Sequence, residues 1–301
     1  MTRRIQLVAS SLFLLFACTK SVDLDLNQNM GKILVVDGQL TDLNHNNYVR
    51  LTWARNTNDE LIQTVDSALV IISNQKGLVD TLVNEREIET QYDDPLFEGY
   101  YYATRLRCKV GDTYHLTVKK NGETYQADAY LPAVSPIDSV GLQYVEGYPV
   151  NGHSYLPLLY FRDPKPERNY YMTQFCSDFT STGGLITRRY PCQFSDRIWN
   201  VAILDDEHLP EYVNGLNINV GATPSPNFHQ WLSADNYTAY LYSFTADAYK
   251  YYEALIKSLN SDGGVYAPTP ANAPSNLRGT APVAGFFNAS SVSSYQFVVK
   301  P

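Results

Sequence analysis

Alternation of apolar and polar residues runs through most of this chain and predicts a protein built mainly from β-strands. In the segment 48–54, YVRLTWA, the side chains of Val49, Leu51 and Trp53 share one face. The segment 114–130 alternates in the same way around a central Asn-Gly pair, which accepts the positive φ angles of a type I′ turn. The sequence therefore predicts short, paired strands as its main structural element.

Strand patterns of this kind fill the segment 31–131. The predicted strands cover 32–39, 48–54, 68–73, 78–83, 100–110, 112–119 and the second arm of the hairpin. We expect 100–110 and 112–119 to form a pair. About seven short strands in about 100 residues, separated by turns, are typical of an immunoglobulin-like β-sandwich. Two prolines and no regular pattern in 132–136 predict a linker after this domain.

The segment 137–301 is predicted to form a second β-rich domain with one helix. Its predicted strands cover 137–145, 156–163, 169–176, 198–204, 216–220, 238–245, 283–287 and 294–299. The helix is expected near 246–260, with Thr245 as its N-cap and Asp-Gly-Gly after its end. Its apolar stripe consists of Ala248, Tyr251, Tyr252, Leu255 and Leu259.

The start of the chain has the order of an export signal: two arginines, a mostly apolar stretch and small residues. Leu15-Phe16-Ala17-Cys18 resembles the lipobox of bacterial lipoproteins, in which the cysteine receives a diacylglycerol. We therefore expect a signal peptide over 1–17, lipidation at Cys18 and a tether over 18–30. The alternatives are an ordinary signal peptide and a short membrane anchor, but about 12 apolar residues are too few to span a bilayer.

The charge of the chain excludes several classes of partner. The formal net charge is −8, and removal of 1–17 takes away Arg3 and Arg4 and no acid, which gives −8 − 2 = −10. Nucleic acid and anionic membrane surfaces are bound through Lys and Arg, so an acidic charge balance argues against both as partners. Membrane attachment is therefore expected from the lipid anchor, and no nucleic acid partner and no cofactor are expected.

Cysteine usage agrees with an exported protein. Cys176 and Cys192 flank a polar segment, and a disulfide between them would close a loop of about 15 residues, worth roughly 3 kcal/mol in the chain-entropy model. Cys108 lies in a strand-like run and is expected to be a small buried side chain. No close Cys/His spacing predicts a metal site.

The sequence predicts no catalytic centre. The five histidines are scattered, and no nucleophile elbow or phosphate-binding glycine loop is present. His115 alternates within a strand and is expected on an exposed sheet surface. The strongest cation candidate is the acidic run 205–207 before His208, although a solvated loop is favoured there and at Asp93-Asp94, because calcium sites space their acids.

Tyrosine is unusually frequent, with 24 residues against 12 phenylalanines. The three sets 100–102, 170–171 and 249–252 are expected to place one ring in the core and to leave another exposed. Exposed tyrosines beside Asn, Ser and Gly are typical of recognition surfaces. An aromatic face for a sugar, a peptide or another protein is one interpretation, and ordinary strand surface is the other.

Three segments carry a family resemblance. They are CTKSVDLDL with the following KILVVDGQLTD, then VGDTYHLTVKKNGETYQADAYLPAVSPIDSV, and finally AYKYYEALIKSLNSDGGVYAPTPANAPSNLRGTAPVAGFFNASSVSSYQF. In this order the chain resembles the Bacteroidota lipoproteins grouped as domain of unknown function 4249 (DUF4249). Members are often encoded beside TonB-dependent outer-membrane receptors, so the resemblance implies a partner lipoprotein. It implies no catalytic residue.

Three functions are therefore expected in descending order. The first is a non-enzymatic outer-membrane lipoprotein that assists a TonB-dependent receptor in nutrient uptake, with an unknown small-molecule ligand. The second is an adhesive or structural surface module, and the third is a glycan- or peptide-processing enzyme. Only Asp23 and Asp25 follow the cysteine closely, so the sequence leaves open whether the protein faces the cell surface or the periplasm.

Overall fold

The strands predicted by the alternating pattern are present, and they begin at residue 34. The computed structural model describes residues 32–43, 47–54, 63–84, 98–145, 154–178, 201–217, 236–259 and 273–298. The strands in the first part are β1 (Leu34–Thr41), β2 (Tyr48–Trp53), β3 (Gln63–Thr64), β4 (Leu69–Asn74), β5 (Val79–Thr81), β6 (Val83–Asn84), β7 (Tyr100–Tyr102), β8 (Thr113–Lys120) and β9 (Glu123–Tyr130).

The elements of the second part include the one helix found in the described residues. They are β10 (Ile137–Val145), β11 (Ser154–Arg162), β12 (Tyr170–Asp178), β13 (Val201–Asp205), a 3-10 turn (Asp206–His208), β14 (Tyr212–Asn217), β15 (Asn236–Phe244), α1 (Ala246–Leu259), β16 (Arg278–Gly279), β17 (Val283–Ser290) and β18 (Val292–Val298).

Two sheets form the first sandwich. Sheet A has the order β17-β1-β2-β7-β6, with β3 beside β2, and sheet B has the order β16-β9-β8-β4-β5. Their inward side chains form one hydrophobic cluster. The order β1-β2-β7-β6 opposite β9-β8-β4-β5 corresponds to strands A-B-E-D and G-F-C-C′ of the immunoglobulin fold. The predicted immunoglobulin-like sandwich is therefore confirmed.

Local patterns explain the central hairpin of this sandwich. Lys120 pairs with Glu123, and Asn121 and Gly122 between them have φ of 52° and 84°, as a type I′ turn requires. Tyr114, buried near the start of β8, accepts a hydrogen bond at 2.7 Å from the backbone N–H of Lys109. A tyrosine bonded in this way near the start of strand F is a hallmark of immunoglobulin domains.

The predicted pair of 100–110 with 112–119 is wrong. β7 ends at Tyr102 and lies in sheet A, whereas β8 lies in sheet B between β4 and β9. The cause is the buried carboxylate of Asp80, which accepts hydrogen bonds from the backbone N–H groups of residues 104, 105 and 106 at 2.9–3.1 Å. These N–H groups are therefore not available to a sheet ladder.

The second sandwich repeats the strand order of the first. Sheet C has the order β10-β11-β14 and sheet D has the order β13-β12-β15-β18, and every strand pair in both is antiparallel. The two sheets correspond to strands A-B-E and C′-C-F-G. Their shared core contains Ile137, Leu159, Phe161, Tyr171, Ala202, Val213, Ala239 and Leu241.

The helix α1 lies between the two sandwiches. The Thr245 hydroxyl accepts a hydrogen bond from the N–H of Ala248 at 3.2 Å, which confirms the predicted N-cap. Ala248 and Tyr252 are buried as the predicted stripe requires. They join a third cluster with Met172, Tyr242 and Phe244 of sheet D and Phe286 of β17. The helix therefore contacts both sheet D and the first sandwich.

The strand β17, which follows the helix and the short β16, returns to the first sandwich. β17 pairs in parallel with the whole of β1, from Leu34↔Val283 to Thr41↔Ser290. The approach is close at Gly285, where φ is 100° and an added Cβ would lie 2.0 Å from the carbonyl oxygen of Val36. Only glycine fits this position, because it has no Cβ and tolerates positive φ.

Hydrogen bonds also fix the predicted linker. The Ser243 hydroxyl donates to the carbonyl oxygen of Pro132 at 2.8 Å, and the N–H of Ile137 donates to the Ser293 hydroxyl at 2.8 Å. Residues 32–301 form one compact unit. The two-domain division at 132–136 stays a prediction. That division assigns β16 and β17 to the second domain, whereas in the structure they pair with β9 and β1 of the first sandwich.

Candidate functional site

In the acidic run 205–207, which was predicted as a cation candidate, two carboxylates form ion pairs with Arg168. Asp205 caps the 3-10 turn through a hydrogen bond from the N–H of Glu207 at 2.8 Å. Its other oxygen lies 2.5 Å from Arg168, which also contacts the Glu207 carboxylate at 2.8 Å. Partial burial opposes ionisation of Asp205, but the hydrogen bonds from Arg168 and the Glu207 N–H outweigh it and lower its pKa.

The middle acid of the run, Asp206, is buried. Its carboxylate accepts a hydrogen bond from the N–H of Asn169 at 2.9 Å. The ammonium of Lys165 donates to its carbonyl oxygen at 3.0 Å and lies 2.7 Å from the carboxylate of Asp163, which is fully buried. The Tyr171 hydroxyl donates to the other oxygen of Asp163 at 2.6 Å. The hydrogen bond to Asp163 raises the pKa of Lys165.

These contacts give the acidic run a structural role. The loop between β11 and β12 carries Lys165 and Arg168, whose side chains contact the acidic residues of the 3-10 turn. These two side chains fill the positions that a bound cation would take. In the described part of the chain no group of three or more His, Cys, Asp or Glu side chains is arranged to hold a metal ion. Asp93-Asp94 lies outside the described residues.

His115 lies on the outer face of sheet B in a row that crosses three strands. Its Nδ1 is 2.6 Å from Asp128, and Arg278 of β16 contacts the other oxygen of that carboxylate at 2.6 Å. The hydrogen bond with His115, reinforced by Arg278, lowers the pKa of Asp128. Ser73 is the cross-strand partner of His115 on β4. A catalytic triad would require a hydrogen bond between a serine and the histidine, and none joins these two described side chains.

The tyrosine sets differ from the expectation that one ring of each stays exposed. Tyr100, Tyr101, Tyr171 and Tyr252 are buried, while Tyr102, Tyr170, Tyr249 and Tyr251 are half-buried. The half-buried rings pack on other rings. Their centroid distances are 5.8 Å for Tyr100–Tyr102, 5.1 Å for Tyr170–Tyr249 and 4.8 Å for Tyr251–Phe286. The rings are therefore used for packing, and Tyr170, Tyr251 and Tyr252 belong to the cluster around α1.

Tyr160, which lies outside the three predicted tyrosine sets, is on a sheet surface. Tyr160 lies on the outer face of sheet C, since Leu159 and Phe161 on either side of it point into the core. An added Cβ at Gly141 of β10 would lie 3.1 Å from its hydroxyl oxygen, and one at Gly215 of β14 would lie 3.2 Å from it. The available signal was glycine inside strands, which marks a close approach.

The predicted cysteine sites lie outside what the structure describes. Cys18 and Cys192 are not among the described residues, and only the backbone of Cys176 is described, as part of β12. Their lipidation and disulfide therefore stay predictions. Cys108 is a free, buried thiol, as expected, and burial raises its pKa to about 12.

No helix in the described ranges is both long enough and apolar enough to cross a membrane.

Comparison with protein-family models gives a match to "Domain of unknown function (DUF4249)" over residues 19–296. This match confirms the family that the three sequence segments indicated, while the Bacteroidota lineage stays a prediction. A search of the curated proteins found no match.

Proposed function

Because the chain belongs to the family described as domain of unknown function DUF4249, we propose that it is a lipid-anchored, non-enzymatic outer-membrane protein. In this proposal it assists a TonB-dependent receptor in nutrient uptake. The observation that carries the proposal is the position of Cys18. It follows Leu-Phe-Ala at the end of an apolar stretch and directly precedes the family match, which begins at residue 19.

The anchor sets the conditions under which such a protein works. One acyl chain gives marginal membrane binding, whereas several give stable attachment. A triacylated Cys18 would therefore hold the protein at the membrane surface, where a receptor is also confined. The short segment 19–31 lies between this cysteine and the compact unit that begins at Lys32. The receptor partnership itself is supported by the family resemblance stated above.

Five carboxylates have structural partners within the protein, which fits a non-enzymatic role. The carboxylates of Asp80, Asp128, Asp163, Asp205 and Asp206 each contact backbone N–H groups or cations of the protein. A general acid or base needs a carboxylate that reaches a substrate proton. These five carboxylates instead join strands, turns and connections to one another.

The anchor is tested by metabolic labelling with an alkyne-tagged palmitate. We expect the wild-type protein to carry the label and to sediment with outer membranes, and Cys18→Ala to lose both properties. Cys108→Ala is the matched control, because that thiol is buried in the first core. Equal labelling of wild type and Cys18→Ala would contradict the anchor.

The partnership is tested by copurification after mild detergent extraction. The wild-type protein, tagged after Pro301, is expected to retain a TonB-dependent receptor, which mass spectrometry identifies. A tagged lipoprotein of another family serves as the control for non-specific capture. If no receptor is retained above this control, the partnership is wrong, and the adhesive alternative becomes the better account. Protease treatment of intact cells then decides whether the protein faces outward.

A further inference from the structure

We propose that the outer face of sheet C binds a neutral carbohydrate, with Tyr160 as the platform on which a sugar ring stacks. The first observation is the orientation of the tyrosine ring. Side chains of a strand stand roughly perpendicular to the sheet, which would place the hydroxyl well above the neighbouring strands. Here the hydroxyl oxygen lies within 3.2 Å of the Cβ positions of both Gly141 and Gly215, so the ring lies down on the sheet.

The two glycines make this orientation possible. At Gly141 an added Cβ would also lie 3.0 Å from Cε2 of Tyr160, which is closer than an unstrained contact. At Gly215 any other residue is disfavoured for two reasons, the close approach of the Tyr160 hydroxyl to an added Cβ and the positive φ of 78°. One face of the ring therefore lies against glycine backbone, and the opposite face is directed away from the sheet. The ring is held in place before any ligand arrives, which reduces the entropy lost on binding.

The neighbours of the ring favour an uncharged ligand that carries hydroxyl groups. In the register of sheet C, Ser139 and Asn214 are the direct partners of Tyr160 on the two flanking strands. A serine hydroxyl and an asparagine amide each donate and accept hydrogen bonds. Further along, Arg162 is paired with Glu211 at 2.8 Å. An aromatic ring with a serine and an asparagine as its cross-strand partners, in a chain of net charge −8, suits a neutral sugar better than an anion.

A second aromatic ring extends the surface. Tyr212 is the register partner of Arg162, which lies two residues from Tyr160 and hence on the same face. Tyr212 is 44% exposed. Rigid tyrosines supply contact area at low entropic cost, and a pair of them gives a sugar chain two contacts on one face. The surface defined by Tyr160, Tyr212, Asn214 and Ser139 is called the sheet C platform.

The platform deepens the proposed function by naming what the protein holds for the receptor, and to that extent it rests on it. The test uses only the purified mature protein, so its outcome does not depend on a receptor. If carbohydrate binding fails, the copurification result is unaffected, and if copurification fails, binding by the platform is unaffected.

The experiment is affinity electrophoresis of the mature protein, in mild detergent, through native gels that contain a polysaccharide. The neutral polymers are starch, a β-glucan, a xylan and a galactomannan, and polygalacturonate is the anionic comparison. We expect at least one neutral polymer to slow the wild-type protein and polygalacturonate to have no effect. Equal mobility in all neutral gels, or retardation by polygalacturonate alone, would overturn the proposal.

Variants then locate the site. Tyr160→Ala is expected to weaken binding roughly tenfold or more, because the stacking surface is removed. Tyr160→Phe keeps the ring and is expected to bind. Gly141→Ala tests the orientation of the ring, since the added Cβ displaces it, and is expected to weaken binding although the tyrosine is still present. Asn214→Ala removes one exposed hydrogen-bonding group and is expected to have a smaller effect.

The matched control is Tyr130→Ala, because Tyr130 is 48% exposed but lies in β9 of the first sandwich. Its mobility should equal that of the wild type in every gel. Circular dichroism of each variant establishes that it is folded. If Tyr160→Ala does not fold, Gly141→Ala and Asn214→Ala still test the platform. Undiminished binding by folded Tyr160→Ala, or by Gly141→Ala and Asn214→Ala together, would show that the platform is not the site.

Discussion

The two sandwiches share a strand order but differ in how they are completed. In the second sandwich all strands of sheets C and D come from the continuous segment 137–298, whereas the first takes β16 and β17 from the segment that separates the last two strands of the second. That segment, 245–291, also contains α1. The segment that supplies two strands to the first sandwich is thus held at both ends by strands of the second. This arrangement links the stabilities of the two sandwiches.

The contacts between the two sandwiches are also unlike those around a flexible linker. Inter-domain surfaces within a chain are often small and polar, and relative motion is then the default. Here a hydrophobic cluster joins sheet D, the helix and Phe286 of the first sandwich. Asp42, just after β1, accepts hydrogen bonds from Ser291 and from the N–H of Val292 at 2.8 and 2.9 Å. We infer that the two sandwiches unfold as one unit.

The largest expected effect comes from the strand that crosses between the sandwiches. Gly285→Ala places a Cβ against the carbonyl oxygen of Val36 and is expected to destabilise the protein by roughly 4 kcal/mol, measured by chemical denaturation. Gly77→Ala is the matched control. Gly77 has a φ of 84° but no atom within 4 Å of the added Cβ, so about 1 kcal/mol is expected. Similar losses in both variants would contradict the close approach of β17 to β1.

The buried carboxylates of the two sandwiches give the next comparison. Asp80→Ala leaves three backbone N–H groups without their acceptor and is expected to lower the free energy of unfolding by about 3 kcal/mol. Asp163→Ala frees the Lys165 ammonium, which is 34% exposed and can turn to water, and leaves one buried donor, the Tyr171 hydroxyl, without its acceptor. About 2 kcal/mol is therefore expected. A larger loss for Asp163→Ala would contradict this reasoning.

The smallest expected effect is a pH dependence at the outer face of sheet B. The folded pKa of Asp128 is lowered by His115 and Arg278, so its ionised form contributes stability above the unfolded pKa and loses it as pH falls below about 4. Because the pair is exposed, the contribution is less than about 1 kcal/mol. Asp128→Asn should therefore lose less stability than the wild type between pH 7 and pH 3. An unchanged pH profile would contradict this assignment.

Local signals explain which parts of the fold were predictable. The hairpin of β8 and β9 depends on the adjacent Asn121 and Gly122, and the start of α1 depends on Thr245, so both were found from the sequence. The course of residues 103–111 was not, because Asp80 takes their N–H groups from 24 or more residues away. The pairing of β1 with β17 joins residues 249 apart, such as Leu34 and Val283, and no local pattern indicates it.

The candidate site follows the same division. The acidic run 205–207 was visible as a motif, but its cations, Lys165 and Arg168, come from another connection. Tyr160 lies in an ordinary strand pattern. Its orientation depends on Gly141 and Gly215, which are 74 residues apart in the sequence and meet only because β10 and β14 flank β11.

The linked stability of the two sandwiches is tested most directly by native-state hydrogen exchange of Leu241→Ala. Leu241 is buried in the second core, and its truncation is expected to remove about 2–5 kcal/mol. If the sandwiches unfold as one unit, the slowest-exchanging amides of β4, β8 and β9 in the first sandwich lose the same protection as those of β12 and β15. Loss of protection in the second sandwich alone would contradict the account.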